Sequence, residues 1–124
     1  MPDRLAVDNC PAARALDAVG QRWALLVVRE ALDGPRRFDE FRSALGISDH
    51  TLTRRLAELV ERGILVRERE GTSAVHRYRL TDAGRALAPV LAQLALWGER
   101  WTDADPGLPG PRPRPGRMDA HQDR

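Results

Sequence analysis

Between Phe38 and Leu80 the chain reads FDEFRSALGISDHTLTRRLAELVERGILVREREGTSAVHRYRL, and the periodicity of that stretch decides the fold. Phe38, Phe41 and Leu45 fall at i, i+3 and i+7, the spacing of one helix face, so a short helix is expected from Phe38 to Leu45. Gly46 breaks it. Ser48 is a good N-cap and Asp49 complements a positive helix end, which places a second helix from Asp49 to Glu61. Gly63 stops that helix, and the period then falls to nearly two over Ile64 to Glu70 and Val75 to Leu80. With Gly71-Thr72-Ser73-Ala74 between them, the two runs read as a β-hairpin. Tyr78 and Leu80 are expected to face the core, and Arg77 and Arg79 to face out.

Working outward, Pro11 suits a first helical position, and Ala13, Leu16 and Val19 repeat at helical spacing. The run from Arg22 to Leu32 is apolar on most sides, as expected of a central buried helix, and Asp33-Gly34-Pro35 ends it. Thr81 can cap a last helix running to about Trp101. Its stripe is Leu87, Val90, Leu91, Leu94 and Trp101, with Trp97 on the edge. Pro89 lies inside this helix and predicts a bend there. Residues 103–124 are rich in Pro, Gly and Arg and poor in large apolar side chains, so they read as a disordered tail. Its Arg112, Arg114, Arg117 and Arg124 either touch a polyanion or are simply solvated.

Composition narrows the function classes. At 124 residues with 42% apolar and 31% charged side chains, the chain is of one-domain size and globular balance. No apolar run is long enough to span a bilayer, and the N-terminus lacks a signal-peptide core, so a soluble cytoplasmic protein is expected. The single cysteine cannot form an internal disulfide. All 20 basic residues are Arg. That side chain suits bidentate contact with phosphate and guanine, although codon bias in a GC-rich genome produces the same composition.

Two short helices joined at a glycine and followed by a hairpin are the parts of a winged helix-turn-helix. The expected fold is therefore α+β, mostly helical. In such a unit the second short helix enters the DNA major groove while the hairpin reaches backbone or a neighbouring groove. On Asp49 to Glu61, Leu52, Leu56, Leu59 and Val60 make one apolar face, and His50 and Arg54, flanked by Thr51 and Thr53, lie opposite near the Ser48 end. Short polar groups around a long bidentate donor are the chemistry that reads base edges, and Arg54 is the candidate base reader. Ser48 joins His50, Thr51 and Thr53 among the candidate DNA contacts, Arg36, Arg37 and Arg55 are candidate phosphate clamps, and Thr72, Ser73 and Arg77 candidate backbone contacts of the hairpin. Arg67 and Arg69 alternate with Glu68 and Glu70, which equally suits an internally neutralised strand face.

Several segments together resemble the HxlR family of bacterial transcriptional regulators. They are Cys10-Pro11, Gly20-Gln21-Arg22-Trp23, Arg37-Phe38 with Phe41, Gly46-Ile47-Ser48, Leu52-Thr53 with Leu56, and Tyr78-Arg79-Leu80-Thr81 with Gly84. The resemblance implies a dimeric, MarR-like winged-helix regulator on an inverted-repeat operator in double-stranded DNA, often a repressor. With the tail set aside the folded unit is about 1–102, and the resemblance also implies a homodimer built from its residues 1–20 and 84–102. Leu87, Leu91, Leu94, Trp97 and Trp101 are then the candidate dimer interface. Two features depart from the family's pattern. Arg22 stands where a Lys is usual, and Thr72-Ser73-Ala74 stand where prolines are common.

Cys10 precedes Pro11, at or near a helix N-cap, where the helix end and Arg14 favour a thiolate and Asp8 opposes it. In some relatives a cysteine at the matching position senses oxidants or electrophiles, so Cys10 is either a redox-sensing candidate or a small capping residue. Oxidation would give an intersubunit disulfide, a mixed disulfide or a sulfenic acid. A small-molecule effector bound between the domain and the dimer helices is the other open signal. His50, His76 and His121 have no ligand-like spacing, so no metal is expected, and no motif asks for a cofactor. A thiol enzyme using Cys10 lacks a base, since no histidine precedes residue 50. The remaining alternative to DNA binding is a protein-interaction module on the same scaffold.

Overall fold

The computed structural model describes residues 9–108. The elements run α1 (Pro11–Val19), α2 (Ala24–Ala31), β1 (Arg36–Arg37), α3 (Phe38–Leu45), α4 (Asp49–Glu61), β2 (Leu65–Arg69), β3 (His76–Leu80), α5 (Asp82–Arg85) and α6 (Ala88–Trp101). This is the winged helix-turn-helix expected from the sequence: mostly helical, with one small antiparallel sheet.

Local chemistry sets the boundaries around α3 and α4. The Glu40 carboxylate accepts the Arg37 backbone N–H at 2.8 Å, closing the start of α3, and Gly46 ends that helix at φ 65°, a left-handed conformation that favours glycine. The Ser48 hydroxyl accepts the Thr51 N–H at 3.2 Å, the N-cap bond of α4. At the other end, the Ile64 N–H reaches the Leu59 carbonyl (2.9 Å) and the Gly63 N–H reaches that of Val60 (3.0 Å), with Gly63 at φ 75°. These paired bonds form a Schellman motif, and its usual apolar contact is supplied by Leu59 and Ile64 within one core cluster.

The sheet has strand order β1-β3-β2. Leu65 pairs with Leu80, Arg67 with Tyr78 and Glu68 with Arg77, while Arg36 and Arg37 of β1 pair with Tyr78 and Arg77 on the other edge of β3. Leu65 and Leu80 thus share the face turned to the core, whose fully buried centre is Val27, Val28, Phe41, Leu52, Leu56, Leu59 and Leu65. Strand β1 is absent from the sequence reading. It is two arginines long and carries no alternation to detect.

The expected single helix from Thr81 to Trp101 is instead two. Thr81 caps α5, its hydroxyl accepting the Gly84 N–H at 3.1 Å while donating toward the Gly63 and Ile64 carbonyls. The Ala86 N–H still reaches the Asp82 carbonyl, but the Leu87 N–H drops back to that of Gly84 (3.0 Å), and the α-helix restarts at Ala88. Pro89 is the physical reason: it has no N–H to offer the Arg85 carbonyl and its ring crowds that carbonyl. The expected bend is therefore a break placed before Pro89, which sits in the first turn of α6. No helix among the described residues is long and apolar enough to cross a membrane. Residues 103–108 form neither helix nor strand, and the remainder of the expected tail lies outside the described residues.

Candidate nucleic-acid interface

The exposed half of α4 begins at Ser48. His50, Thr53 and Arg54 are exposed on the side away from Leu52, Leu56 and Leu59, with Thr51 half-buried beside them. The Thr53 hydroxyl donates to the Asp49 carbonyl at 2.8 Å, and Asp49 lies 3.4 Å from the Arg42 guanidinium, so the acidic first residue is neutralised from α3. Among the described residues, Arg54 has no ion pair. One long unpaired donor among short polar groups at a helix N-terminus is geometry suited to an acceptor-rich groove.

Arg55 belongs elsewhere. Its side chain is only 10% exposed, its guanidinium meets the Glu58 carboxylate at 3.1 Å, and its Nε is buried without a hydrogen-bond partner. Its place beside Arg54 in the sequence suggests a phosphate clamp. At 100° per residue, however, it falls on the stripe of Leu52, Leu56 and Leu59, one step round the helix from Arg54. A phosphate cannot reach it without moving that face.

The other clamps differ from one another. Arg36 is half-buried and donates to the Pro35 carbonyl at 3.2 Å. Arg37 is half-exposed but forks onto Glu70, with Nε 2.9 Å and Nη2 2.8 Å from its two carboxylate oxygens. That hydrogen-bonded pairing holds the Glu70 carboxyl below, and the Arg37 guanidinium above, their ordinary values. On the hairpin, Thr72 and Ser73 are exposed at the turn, where the Ser73 hydroxyl accepts the Val75 N–H at 2.8 Å. Arg77 turns along the sheet toward Glu68 (3.5 Å), which also receives Arg79 (3.3 Å).

This register settles the alternation Arg67-Glu68-Arg69-Glu70. Neutralisation runs across strands: Glu68 serves Arg77 and Arg79, and Glu70 serves Arg37. Arg67 and Arg69 point to the opposite face, are exposed, and carry no ion pair among the described residues. Neither is among the candidate DNA contacts of the sequence, although period two separates them from their glutamates.

Cys10 is the exposed N-cap of α1, whose Pro11 opens the helix. Arg14, expected to assist the thiol, gives its guanidinium to the Asn9 carbonyl. The candidate dimer stripe divides. Leu87 and Leu91 pack against the core, while Leu94, Trp97 and Trp101 are 48%, 60% and 64% exposed. With Val90 and Leu96, the latter three line an open apolar groove of about 940 Å³ along α6. No group of three or more potential metal ligands occurs among the described residues.

The family model of the HxlR-like helix-turn-helix matches residues 18–106. The chain belongs to the HxlR-like helix-turn-helix family. An uncharacterised HTH-type transcriptional regulator of Mycobacterium tuberculosis (strain ATCC 25618 / H37Rv) is 43% identical over 97 residues, 77% of this chain and 61% of that protein. The chain thus spans about three fifths of this mycobacterial relative. The HTH-type regulator YvaP of Bacillus subtilis (strain 168) is 38% identical over 77% of this chain and 92% of its own length. Among solved structures, the redox regulator HypR in its reduced form superimposes with a TM-score of 0.68 at 35% identity, covering 73% of this chain and 92% of that one. The HxlR-like match takes in α2 through α6, and so every element that places Arg54, Arg37 and the hairpin.

Proposed function

We propose that this HxlR-family protein is a sequence-specific DNA-binding transcriptional regulator that acts as a homodimer on an inverted-repeat operator, in the sense of a repressor. The observation that carries the reading is the N-terminal half of α4: capped by Ser48, neutralised at Asp49, and presenting Arg54 without an ion pair. Arg54 reads a base edge, His50, Thr51 and Thr53 flank it in the groove, and Arg36, Thr72 and Ser73 hold backbone. Arg67 and Arg69 add unpaired charge on the hairpin. The apolar face of α6 around Leu94, Trp97 and Trp101 supports a dimer, in which two recognition helices would sit about 34 Å apart to match half-sites one helical turn apart.

The release signal we propose is thiol oxidation at Cys10, supported by its exposure and by the likeness to a protein named a redox regulator. The test is fluorescence anisotropy on a duplex from upstream of the protein's own gene and on a scrambled duplex, across salt, with reduced and oxidised samples. Tight binding to the first alone, lost on oxidation, supports both statements. Binding that oxidation leaves unchanged removes Cys10 as the switch and moves the search to a small-molecule effector. Weak and equal binding to both duplexes removes the upstream segment as the operator, and no shift at any salt favours the protein-interaction module.

A further inference from the structure

Arg37 stands at the N-terminus of α3, at the end of β1, and Glu70 is the first residue after β2, where the hairpin turn begins, so their contact joins the helix-turn-helix to the turn end of the hairpin. The carboxylate takes Nε and Nη2 together. That edge of a guanidinium is the one a phosphate takes when it is held bidentately. The pair lies at the surface, with the Arg37 side chain 51% and the Glu70 side chain 24% exposed, a setting in which ion pairs are weak and exchangeable. Glu68 is already shared by Arg77 and Arg79, so Arg37 is the guanidinium to which Glu70 is committed.

Resting on the DNA-binding reading above, we propose that Glu70 is an intramolecular competitor of the DNA backbone. It occupies the phosphate-binding edge of Arg37 in the free protein, and docking on any duplex requires that the edge be exchanged. A phosphate contact at Arg37 then yields little net counterion release, because the guanidinium was already neutralised. Glu70 sets the level of sequence-independent affinity, while Arg54 on the other element sets the choice of sequence.

The test is anisotropy of the full chain on the scrambled and upstream duplexes across salt. Glu70→Gln keeps the size of the side chain and removes its charge; Glu70→Asp keeps the charge and withdraws it by one carbon. Glu70→Gln is expected to tighten both duplexes by the same factor, about threefold to tenfold at low salt, and to steepen the salt slope by about 0.9. Glu70→Asp is expected to move in the same direction by less. In an Arg37→Ala background the gain from Glu70→Gln is expected to vanish. Unchanged binding overturns the proposal, and weaker binding makes Glu70 a buttress of Arg37. A gain that persists without Arg37 reduces the effect to general charge and overturns it too. Wild-type protein that binds neither duplex defeats the DNA reading and this proposal together, whereas wild-type binding with no Glu70 effect defeats this proposal alone.

Discussion

Arg54 and Arg55 are neighbours on one helix with opposite surroundings, and replacing Arg55 by Met separates a buried arginine from a DNA clamp. Its Nε is buried without a partner, a desolvation cost of about 1–3 kcal/mol that Met does not carry. Against this stands the contact with Glu58, whose side chain is 42% exposed, so the pair contributes only about 0.2–1 kcal/mol. The aliphatic stem packs among leucines, and Met fills similar volume with a flexible apolar chain. Exchange of a buried ion pair for well-packed apolar groups is often neutral or stabilising. The expected result for Arg55→Met therefore runs from no change to a gain of about 2 kcal/mol. For a domain of this size each kcal/mol moves Tm by roughly 4–8 °C, read by thermal denaturation at one fixed protein concentration. DNA binding is expected to keep its salt slope. A phosphate clamp lost at this position would instead flatten that slope by about 0.9. A clear fall in Tm, or the flattened slope, refutes the reasoning.

Arg54→Ala is expected to leave Tm in place and to cost about 1–3 kcal/mol on the upstream duplex with a smaller loss on scrambled DNA; equal losses in anisotropy would deny it a base-reading role. A Cβ added at Gly84 would lie 2.4 Å from the Ile64 carbonyl oxygen and 2.8 Å from a Leu80 methyl, so Gly84→Ala is expected to lose about 1–3 kcal/mol in urea unfolding, and an unchanged midpoint would contradict the packing described. Trp97→Glu places a charge on the apolar face of α6 and is expected to shift light-scattering mass from dimer to monomer; an unaltered mass would put the dimer surface elsewhere. Hydrogen bonding from Arg37, with the charges of Arg37 and then Arg77 adding, holds the Glu70 carboxyl below its ordinary 4.5 against the desolvation that opposes it, so its stabilisation is complete above that value and is lost as pH falls through the lower folded value. The stability difference between wild type and Glu70→Gln should accordingly shrink from neutral pH toward pH 3, and a constant difference would mean that the pair contributes nothing.

Most of the scaffold was legible because its signals are local. Pro11, Gly46, Ser48 and Gly63 act through backbone geometry within a few residues of themselves, and the helices they delimit fall where the apolar spacing puts them. The hairpin was legible for the same reason, since period two is a property of a single strand. Strand β1 was not, because Arg36 and Arg37 become a strand only by pairing with Tyr78 and Arg77, some forty residues on. Pro89 announced a disturbance, but whether the chain bends or breaks depends on whether the turn before it finds other bonds. Here Leu87 bonds back to the Gly84 carbonyl and the helix divides.

The candidate site was legible in its residue types and less so in their availability, and the difference is one of range. Twenty arginines offer many clamps, but a guanidinium can bind phosphate only if nothing nearer holds it. Which carboxylate holds which arginine follows from register and helix phase, not from proximity in sequence. Glu70 lies beside Arg69 in the chain and binds Arg37. Glu68 lies between Arg67 and Arg69 and binds Arg77 and Arg79. Arg55 is next to Arg54 yet is spent on the core side of the same helix. Removing the paired and buried arginines from the helix-turn-helix and hairpin leaves Arg36, Arg54, Arg67 and Arg69, and of these Arg54, Arg67 and Arg69 are exposed and unpaired among the described residues. Those three lie on α4 and the hairpin, so the internal ion pairs themselves sort the cationic side chains into those that build the fold and those left available for the contacts proposed above.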